Sequence, residues 1–393
     1  MALFPIAKPK AHSLTGRITQ PLLFAAFQAV RRNRGAAGID KVSIKMFENN
    51  LVENLQALER DLKDGSFRPF PLRRKFIPKE PGQFRPLGIP AVRDRVAQEA
   101  LRRLLHPIFE PLFHDASFGF RPKRNCHQAL AAVLQLHEEG YRVVLDADIK
   151  GFFDNLPHAV IMEAVAAQVA DGNILNLIER FLHCGVMEDG VFKPTTVGTP
   201  QGGVISPLLA NIVLNHLDGR LQERGFRFVR YADDFVVLTQ THAQAEEAWT
   251  LVTQTLTELG LSLSTEKTRI TTYGKGYSFL GFVLSRRSRR MRDKSRRKLQ
   301  DKVRTLTVRA QNLDAQVIVK LNQVIRGAAH YFATRWFTGR QVFRELDGWI
   351  RRRVRCMKYK RFRYHDNRRW RVKQAERLGL LSLESFCTAK GRS

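Results

Sequence analysis

Three aspartates that stand where short apolar segments end constrain the fold of this chain more than any other feature. Residues 141–149 (YRVVLDADI) predict a buried strand ending in Asp148, and residues 226–239 (FRFVRYADDFVVLT) predict two strands joined by a tight turn that holds Asp233 and Asp234. A carboxylate flanked by apolar residues is costly unless a partner neutralises it. An Asp-Asp pair alone most often caps a turn, but together with Asp148 it predicts a divalent cation site.

Mg²⁺ suits such a site because it binds a few carboxylates together with water and phosphate oxygens. Two such ions held close together stabilise both the attacking and the leaving oxygen of an in-line displacement. We therefore predict two Mg²⁺ ions, for which Mn²⁺ can substitute, and phosphoryl transfer as the chemistry.

Hydrophobic periodicity around these aspartates predicts an α+β fold. The order strand, helix, strand, strand, helix through residues 141–260 predicts an antiparallel sheet with helices on one face. A proline-rich, basic stretch at 69–90 predicts a hairpin, and from residue 293 onward the pattern is basic amphipathic helix. Single hydrophobic cores stop growing at roughly 250–300 residues, so the chain of 393 residues predicts several parts. We place their bounds at 1–90, 91–284 and 285–393.

Positive charge is concentrated in the last third of the chain. Of the 66 Lys and Arg and the 37 Asp and Glu, residues 281–393 hold 32 and 8, a net charge of +24 out of +29. Phosphates are the natural partners of such a segment. A solvated basic tail is the alternative, but a tail of that kind would lack the segment's apolar residues and its tryptophans Trp336, Trp349 and Trp370.

The sequence also indicates a compartment. No run of about 18 apolar residues is present to span a bilayer, and the N-terminus has no apolar signal region. Residues 1–39 lack acidic side chains, which leaves an organellar transit segment as an alternative. The four cysteines show no spacing typical of zinc sites or disulfides. We therefore expect a cytoplasmic protein.

Several motifs in order resemble those of reverse transcriptases encoded by group II introns. DIKGFFD (148–154) contains the first aspartate, TPQGGVISP (199–207) follows it, and YADD (231–234) comes third. RPLGIP (85–90) and SFGFRP (117–122) also follow that family's pattern. The resemblance implies a right-hand polymerase with an N-terminal extension and fingers in the first part and the fingers and palm of the catalytic core in the second. The third part would be an all-α basic thumb, called domain X in maturases, with a basic C-terminal tail. The resemblance also implies an RNA-directed DNA polymerase that extends a primer with dNTPs.

The resemblance assigns the catalytic roles residue by residue. Asp148 and Asp233 would hold both metals, with Asp234 assisting and the Ile149 carbonyl contributing one ligand. Lys267 matches the position proposed to protonate the pyrophosphate leaving group, where general acid help is useful. A surface lysine is the alternative for Lys267.

The same resemblance predicts the dNTP site. Lys79 and Arg85 in the hairpin would hold the triphosphate, Lys as a point charge and Arg as a bidentate fork. Phe153 would lie beneath the sugar and exclude a 2′-hydroxyl, unless Phe152 and Phe153 are both core. Gln201, followed by two glycines, would approach the nascent base pair, with a simple turn as the alternative. Three basic residues of the hairpin could instead grip template phosphates: Arg73, Arg74 and Lys75.

The basic last third is expected to contact nucleic acid. In the family this region grips the template–primer duplex and binds the parent intron RNA as a ribonucleoprotein, largely through backbone and shape. The chain ends at Ser393 with no Cys/His cluster for an HNH endonuclease, which predicts the endonuclease-lacking type. The predicted phosphate contacts are Arg286, Arg287, Arg289, Arg290, Arg296, Arg297, Arg351, Arg352 and Arg353.

Two other functions compete with the intron-encoded polymerase and maturase, which would aid RNA splicing and retrohoming. A free-standing enzyme of the same type, used in host defence or DNA repair, would keep polymerisation without a cognate intron. A splicing factor with an inactive polymerase site would need only RNA binding. The presence of all three aspartates argues against the second alternative.

Overall fold

The computed structural model describes residues 3–80, 82–199, 202–363 and 365–389. The chain divides into two compact units, Met1–Ile270 and Thr271–Ser393. The helices of the first unit are α1 (Gln20–Asn33), α2 (Ile44–Asn49), α3 (Leu51–Lys63), α4 (Val92–Phe109), α5 (Cys126–Glu138), α6 (Phe152–Asn155), α7 (His158–Ala166), α8 (Gly172–Leu182), α9 (Ser206–Glu223) and α10 (His242–Glu258). The strands up to the end of this unit are β1 (Leu72–Glu80), β2 (Gln83–Ile89), β3 (Val143–Asp148), β4 (Val186–Glu188), β5 (Val191–Lys193), β6 (Arg227–Tyr231), β7 (Asp234–Thr239) and β8 (Arg269–Thr272).

The predicted central sheet is present and has the order β6-β7-β3-β8. β7 pairs antiparallel with both β6 and β3, and α10 packs on β3 and β7. The inner residues of β7, from Phe235 to Leu238, are all buried, so this strand is sealed on both faces. The register between β3 and β7 places Asp148 directly opposite Asp234.

The proline-rich stretch forms the predicted hairpin of β1 and β2. It belongs to a second sheet of order β2-β1-β4-β5, in which β1 runs parallel to β4. The sequence analysis did not predict β4 and β5. Each has three residues, and all of β5 is exposed, so neither carries the apolar alternation that marks a half-buried strand.

A single hydrophobic cluster runs through the first unit, from Phe4 to Leu261. The N-terminal helices therefore share their core with the central sheet, and no division appears near residue 90. Amphipathic spacing explains this packing, since the inward faces of α1 and α3 bury Leu23, Phe27 and Leu58.

The second unit is mainly helical, as predicted, but it begins with a small sheet. Its helices are α11 (Asp293–Leu306), α12 (Ala315–Phe332), α13 (Arg340–Tyr359), α14 (Asp366–Arg369), α15 (Val372–Arg377) and α16 (Ser385–Ala389). Its strands β9 (Tyr277–Phe279), β10 (Phe282–Leu284) and β11 (Arg289–Met291) form an antiparallel sheet.

The predicted bound after residue 284 falls inside this sheet and differs from the division in the structure. Phe282 of β10 contacts the rings of Tyr331, Phe332 and Trp336, so the sheet packs with the helices that follow it. In the part of the chain that the structure describes, no helix is both long and apolar enough to cross a membrane.

Candidate active site

The turn between β6 and β7 presents two of the three predicted aspartates. Ala232 in this turn has a left-handed backbone with φ of 60°. Asp233 lines a cavity of about 540 Å³, which Asp148 also lines. Burial raises the pKa of Asp233, and the nearby charge of Asp148 raises it further. A buried carboxylate with a second carboxylate nearby favours a cation beside it.

Asp234 lies opposite Asp148 on the neighbouring strand, but its side chain is exposed and is not among the residues that line the cavity. Residues directly opposite each other on antiparallel strands project to the same face of a sheet. Asp234 is therefore close to Asp148 without forming the cavity wall.

Asp146 is a further carboxylate on β3, close to Asp148 in sequence but not among the residues that line the cavity. It stands two residues before Asp148 on β3, and alternation along a strand points both side chains to the same face. Arg269 lies 3.3 Å from its Oδ2 atom. Burial raises the pKa of Asp146, which Arg269 partly counteracts. The signal was present in the sequence, because residues 146 and 148 share a strand face.

The segment after α10 holds the end of β3 and brings Lys267 to it. The backbone N–H of Ser264 donates to the Asp148 carbonyl at 2.7 Å, and the Asp148 N–H donates to Thr268 Oγ1 at 3.3 Å. Lys267 Nζ then lies 2.9 Å from Asp148 Oδ2. Both side chains are partly exposed, so the pair contributes little to stability. Its effect is to hold an ammonium group beside the carboxylate.

Six of the predicted site residues line the same cavity: Asp148, Ile149, Asp233, Lys267, Arg85 and Phe153. Phe153 reaches the cavity from a short helix that follows β3. Residues 152–155 form the short helix α6 rather than a strand end. Successive helical residues also diverge, and Phe152 is buried in the core while Phe153 is half-buried.

The oxygens of Asp148 and Asp233 are the hard donors that Mg²⁺ prefers. Among the described residues, no three acidic, histidine or cysteine side chains form a complete ligand cluster. Mg²⁺ is typically held by one or two protein carboxylates, with water and substrate phosphates completing its shell. The residues present therefore fit this cation.

Two predicted dNTP contacts fall outside what the structure describes. Gln201 lies outside the described residues, and for Lys79 only the backbone, near the end of β1, is described. The glycines that follow Gln201 do line the cavity. Gly202 has a φ of 115°, and a Cβ there would lie 2.5 Å from the carbonyl oxygen of Gly88 on β2. Only glycine permits this approach.

The predicted nucleic-acid contacts have several different surroundings. On the hairpin, Arg74 pairs with Glu188 at 3.2 Å, Arg73 is partly buried and Lys75 is exposed.

The predicted contacts in the second unit differ in their exposure. Arg286, Arg287 and Arg297 are exposed, and Arg289 and Arg290 are partly buried. Arg296, Arg351 and Arg352 line a groove of about 640 Å³ together with Trp349 and Trp370. Arg353 does not line that groove, since its guanidinium donates to the carbonyl and hydroxyl oxygens of Thr307 at 2.7 and 3.0 Å.

A buried charged network behind the catalytic turn was also missed. Arg230 and Asp218 are both 0% exposed. Arg230 Nε donates to Asp218 Oδ1 at 2.8 Å, and its Nη1 atom donates to the Ala232 carbonyl at 3.0 Å and to Asn211 Oδ1 at 2.9 Å. The network therefore ties the turn to α9. An arginine inside an apolar strand, next to the Asp-Asp pair, was the available signal.

Gly119 of the SFGFRP segment packs directly on the same turn. A Cβ atom at Gly119 would lie 2.3 Å from the Ala232 nitrogen and 2.9 Å from the Tyr231 carbonyl carbon. The Gly119 carbonyl accepts from Asn211 Nδ2 at 2.8 Å. The turn thus occupies the space where a side chain at residue 119 would begin, and only a glycine fits.

Gly119→Ala is expected to displace the turn and slow nucleotide addition on the order of a hundredfold, the effect of misplacing a catalytic group by about 1 Å. The rate is measured by primer extension. Gly172→Ala is the matched control, because a Cβ at Gly172 meets nothing within 4 Å. Wild-type rates for Gly119→Ala would contradict the close approach.

Known families and proteins match both units. The reverse transcriptase (RNA-dependent DNA polymerase) family matches residues 77–284, more than half of the chain, and the group II intron maturase-specific domain matches residues 296–376. Protein YkfC of Escherichia coli K12 is 36% identical over 315 residues, which cover 70% of this chain and 83% of YkfC.

A second relative carries the intron in its name. The group II intron-encoded protein LtrA of Lactococcus lactis subsp. cremoris is 39% identical over 212 residues, which cover 53% of this chain and 35% of LtrA. The chain thus spans about a third of the length of LtrA. Together with the family matches, these similarities show that the chain belongs to the group II intron reverse transcriptases, RNA-directed DNA polymerases that carry a maturase-specific domain.

Proposed function

We propose that this chain extends a primer on an RNA template by two-metal phosphoryl transfer in the cavity lined by Asp148 and Asp233. The observation that carries the proposal is the register of β3 and β7. It places Asp148 opposite Asp234, and therefore next to the turn that holds Asp233, although these residues are distant in the sequence. Arg85, Lys267 and Phe153 line the same cavity, so groups suited to phosphates and to a sugar surround the carboxylates.

Asp148 and Asp233 would hold Mg²⁺, with the Ile149 carbonyl and Asp234 contributing. The cation supplies charge neutralisation at the reacting phosphate. Arg85 and Lys79 bind the β and γ phosphates and orient them. The Lys267 ammonium gives its Nζ proton to the departing pyrophosphate oxygen. Phe153 fills the space that a 2′-hydroxyl would need, and Gln201 contacts the nascent base pair.

Primer extension by the purified chain tests this proposal. With a DNA primer on an RNA template, we expect full-length product with dNTPs and Mg²⁺, and none with EDTA or with NTPs in place of dNTPs. The controls are a matched DNA template and heat-inactivated protein. If the wild-type chain with dNTPs and Mg²⁺ extends no primer on either the RNA or the DNA template, the polymerase assignment for this chain is contradicted.

We further propose that the second unit binds a cognate group II intron RNA as a ribonucleoprotein that promotes splicing. The match to the maturase-specific domain supports this function, as does the groove that joins Arg296, Arg351 and Arg352 to two tryptophans. The compartment proposed for this particle is the cytoplasm.

Splicing at low Mg²⁺ tests the second proposal, because protein charge can replace cations that RNA folding otherwise needs. We expect the chain to stimulate splicing of its intron, and Arg351→Ala/Arg352→Ala to lose most of that effect. Lys320→Ala/Arg326→Ala is the matched control, since both residues are exposed on α12 outside the groove. If the wild-type chain gives no stimulation, the free-standing polymerase is favoured instead.

A further inference from the structure

Phe120 lines the active-site cavity, and the proposed reaction gives it no task. Its side chain is 58% exposed, and its backbone has a left-handed φ of 57°. A bulky residue in this region of φ is an outlier that signals a turn under strain. Burial does not explain the position, because more than half of the ring faces solvent. Asp148, Asp233 and Arg85 share its cavity.

Both neighbours of Phe120 are held in place. On one side the Gly119 carbonyl accepts from Asn211 Nδ2. On the other side the buried Arg121 pairs with Glu110 at 2.8 Å and donates to the carbonyls of His114 and Ser117 at 2.7 and 2.9 Å. Backbone strain persists only where the surroundings over-determine it, and such positions cluster at ligand clamps.

The segment that carries Phe120 is also bonded to the catalytic strand. The Arg230 N–H donates to the Ala116 carbonyl at 2.9 Å, and the Phe118 N–H donates to the Arg230 carbonyl at 2.8 Å. Since Arg230 immediately precedes the Tyr231–Asp234 turn, the backbone that carries the ring keeps a fixed position relative to Asp233. A backbone fixed in advance loses little freedom when a ligand contacts the ring.

Among the described residues that line the cavity, the roles proposed above leave the flat faces of the nucleobase without a contact. Arg85 and Lys267 suit phosphates, and Phe153 suits the sugar. A nucleobase is flat with apolar faces, and an exposed aromatic ring is the side chain that such a face stacks on. We propose that Phe120 is the surface on which the base of the incoming nucleotide packs. This inference rests on the polymerase function proposed above.

Single-nucleotide addition on an RNA template, with each dNTP titrated separately, tests the assignment. Phe120→Gly removes the ring and also the backbone strain, because glycine adopts positive φ readily. We expect KM for dNTPs to rise on the order of tenfold, the loss of one aromatic–base stack, with kcat little changed. The melting temperature should stay the same or rise, which a residue with a purely structural role would not show.

Three comparisons sharpen the test. Phe120→Tyr should keep the wild-type KM, because it keeps the ring. Phe120→Ala should raise KM for dNTPs. The matched control is Phe24→Ala, which should leave KM unchanged, because Phe24 on α1 is 49% exposed and lies outside the cavity. The rise should be larger for dATP and dGTP than for dCTP and dTTP, since purines offer the larger stacking face.

Wild-type KM values for Phe120→Gly with all four dNTPs would overturn the assignment. So would an equal rise for purines and pyrimidines, because that result would indicate a contact with the sugar or phosphates. Failure of the proposed function is distinguishable, since the wild-type chain itself would then add no nucleotide.

Discussion

Replacing Asp233 by asparagine is expected to abolish primer extension on an RNA template, lowering the rate by about a thousandfold or more. Asparagine keeps the shape of the side chain but removes the negative charge that a cation at this site requires. Loss of several kcal/mol of charge stabilisation in the transition state corresponds to a rate loss of that size. Asp148→Asn should have the same effect, measured as single-turnover nucleotide addition at saturating dNTP.

The thermal stability of Asp233→Asn should equal or exceed that of the wild-type chain, although its extension rate falls. The raised pKa of Asp233 comes mainly from burial, so a neutral side chain relieves an unfavourable charge in the folded state. Asp189→Asn, in the exposed turn between β4 and β5, is the matched control and should leave extension unchanged. Extension by Asp233→Asn at the wild-type rate would exclude this residue from the catalytic site.

Arg230→Met is expected to destabilise the first unit by roughly 3–5 kcal/mol, because it leaves the fully buried Asp218 without its partner. For a unit of this size that loss lowers the melting temperature by roughly 10 °C. Arg227→Met, on the same strand but exposed, should shift it little. Thermal unfolding followed by circular dichroism measures both, and equal melting temperatures would contradict the role of the pair.

A double variant separates stability from function. Arg230→Met/Asp218→Leu removes both charges, and replacing a buried ion pair by apolar residues often restores stability. We expect the melting temperature to recover. Primer extension should be slower than wild type in both the single and the double variant, since the Ala232 carbonyl and Asn211 lack the Arg230 donor in each. Recovery of both properties would mean that the network serves only the stability of the fold.

Local periodicity was sufficient for the strands around the catalytic turn and for the helical character of the chain after residue 293. Apolar alternation around Asp148 and Asp233 predicted β3, β6 and β7, and the motif order predicted that they would meet. The small sheet of β9 to β11 was not predicted, because its three-residue strands are too short for alternation to be visible. Short strands of that kind are specified by packing partners far away in the sequence, such as Trp336 for Phe282.

The parts of the site that escaped prediction depend on contacts between distant segments. Asp218 on α9 matters because Arg230 on β6 meets it, and Gly119 matters because the turn at Ala232 touches it. The arginine inside the apolar strand β6 is visible in the sequence, but no local pattern identifies the partner residue in either pair. Asp146 is different, since its spacing of two residues from Asp148 on the same strand is visible in the sequence.

The strand order β6-β7-β3-β8 has a consequence for biosynthesis. Of the four strands in this sheet, β3 leaves the ribosome first. Both of its neighbours, β7 and β8, are translated much later. Until then its two edges lack hydrogen-bonding partners, a state that exposes nascent chains to aggregation. Pairing between such distant segments is also intrinsically slow. We therefore expect that chains released before residue 239 associate with chaperones or aggregate. We also expect that production in a heterologous host improves when translation through residues 149–233 is fast.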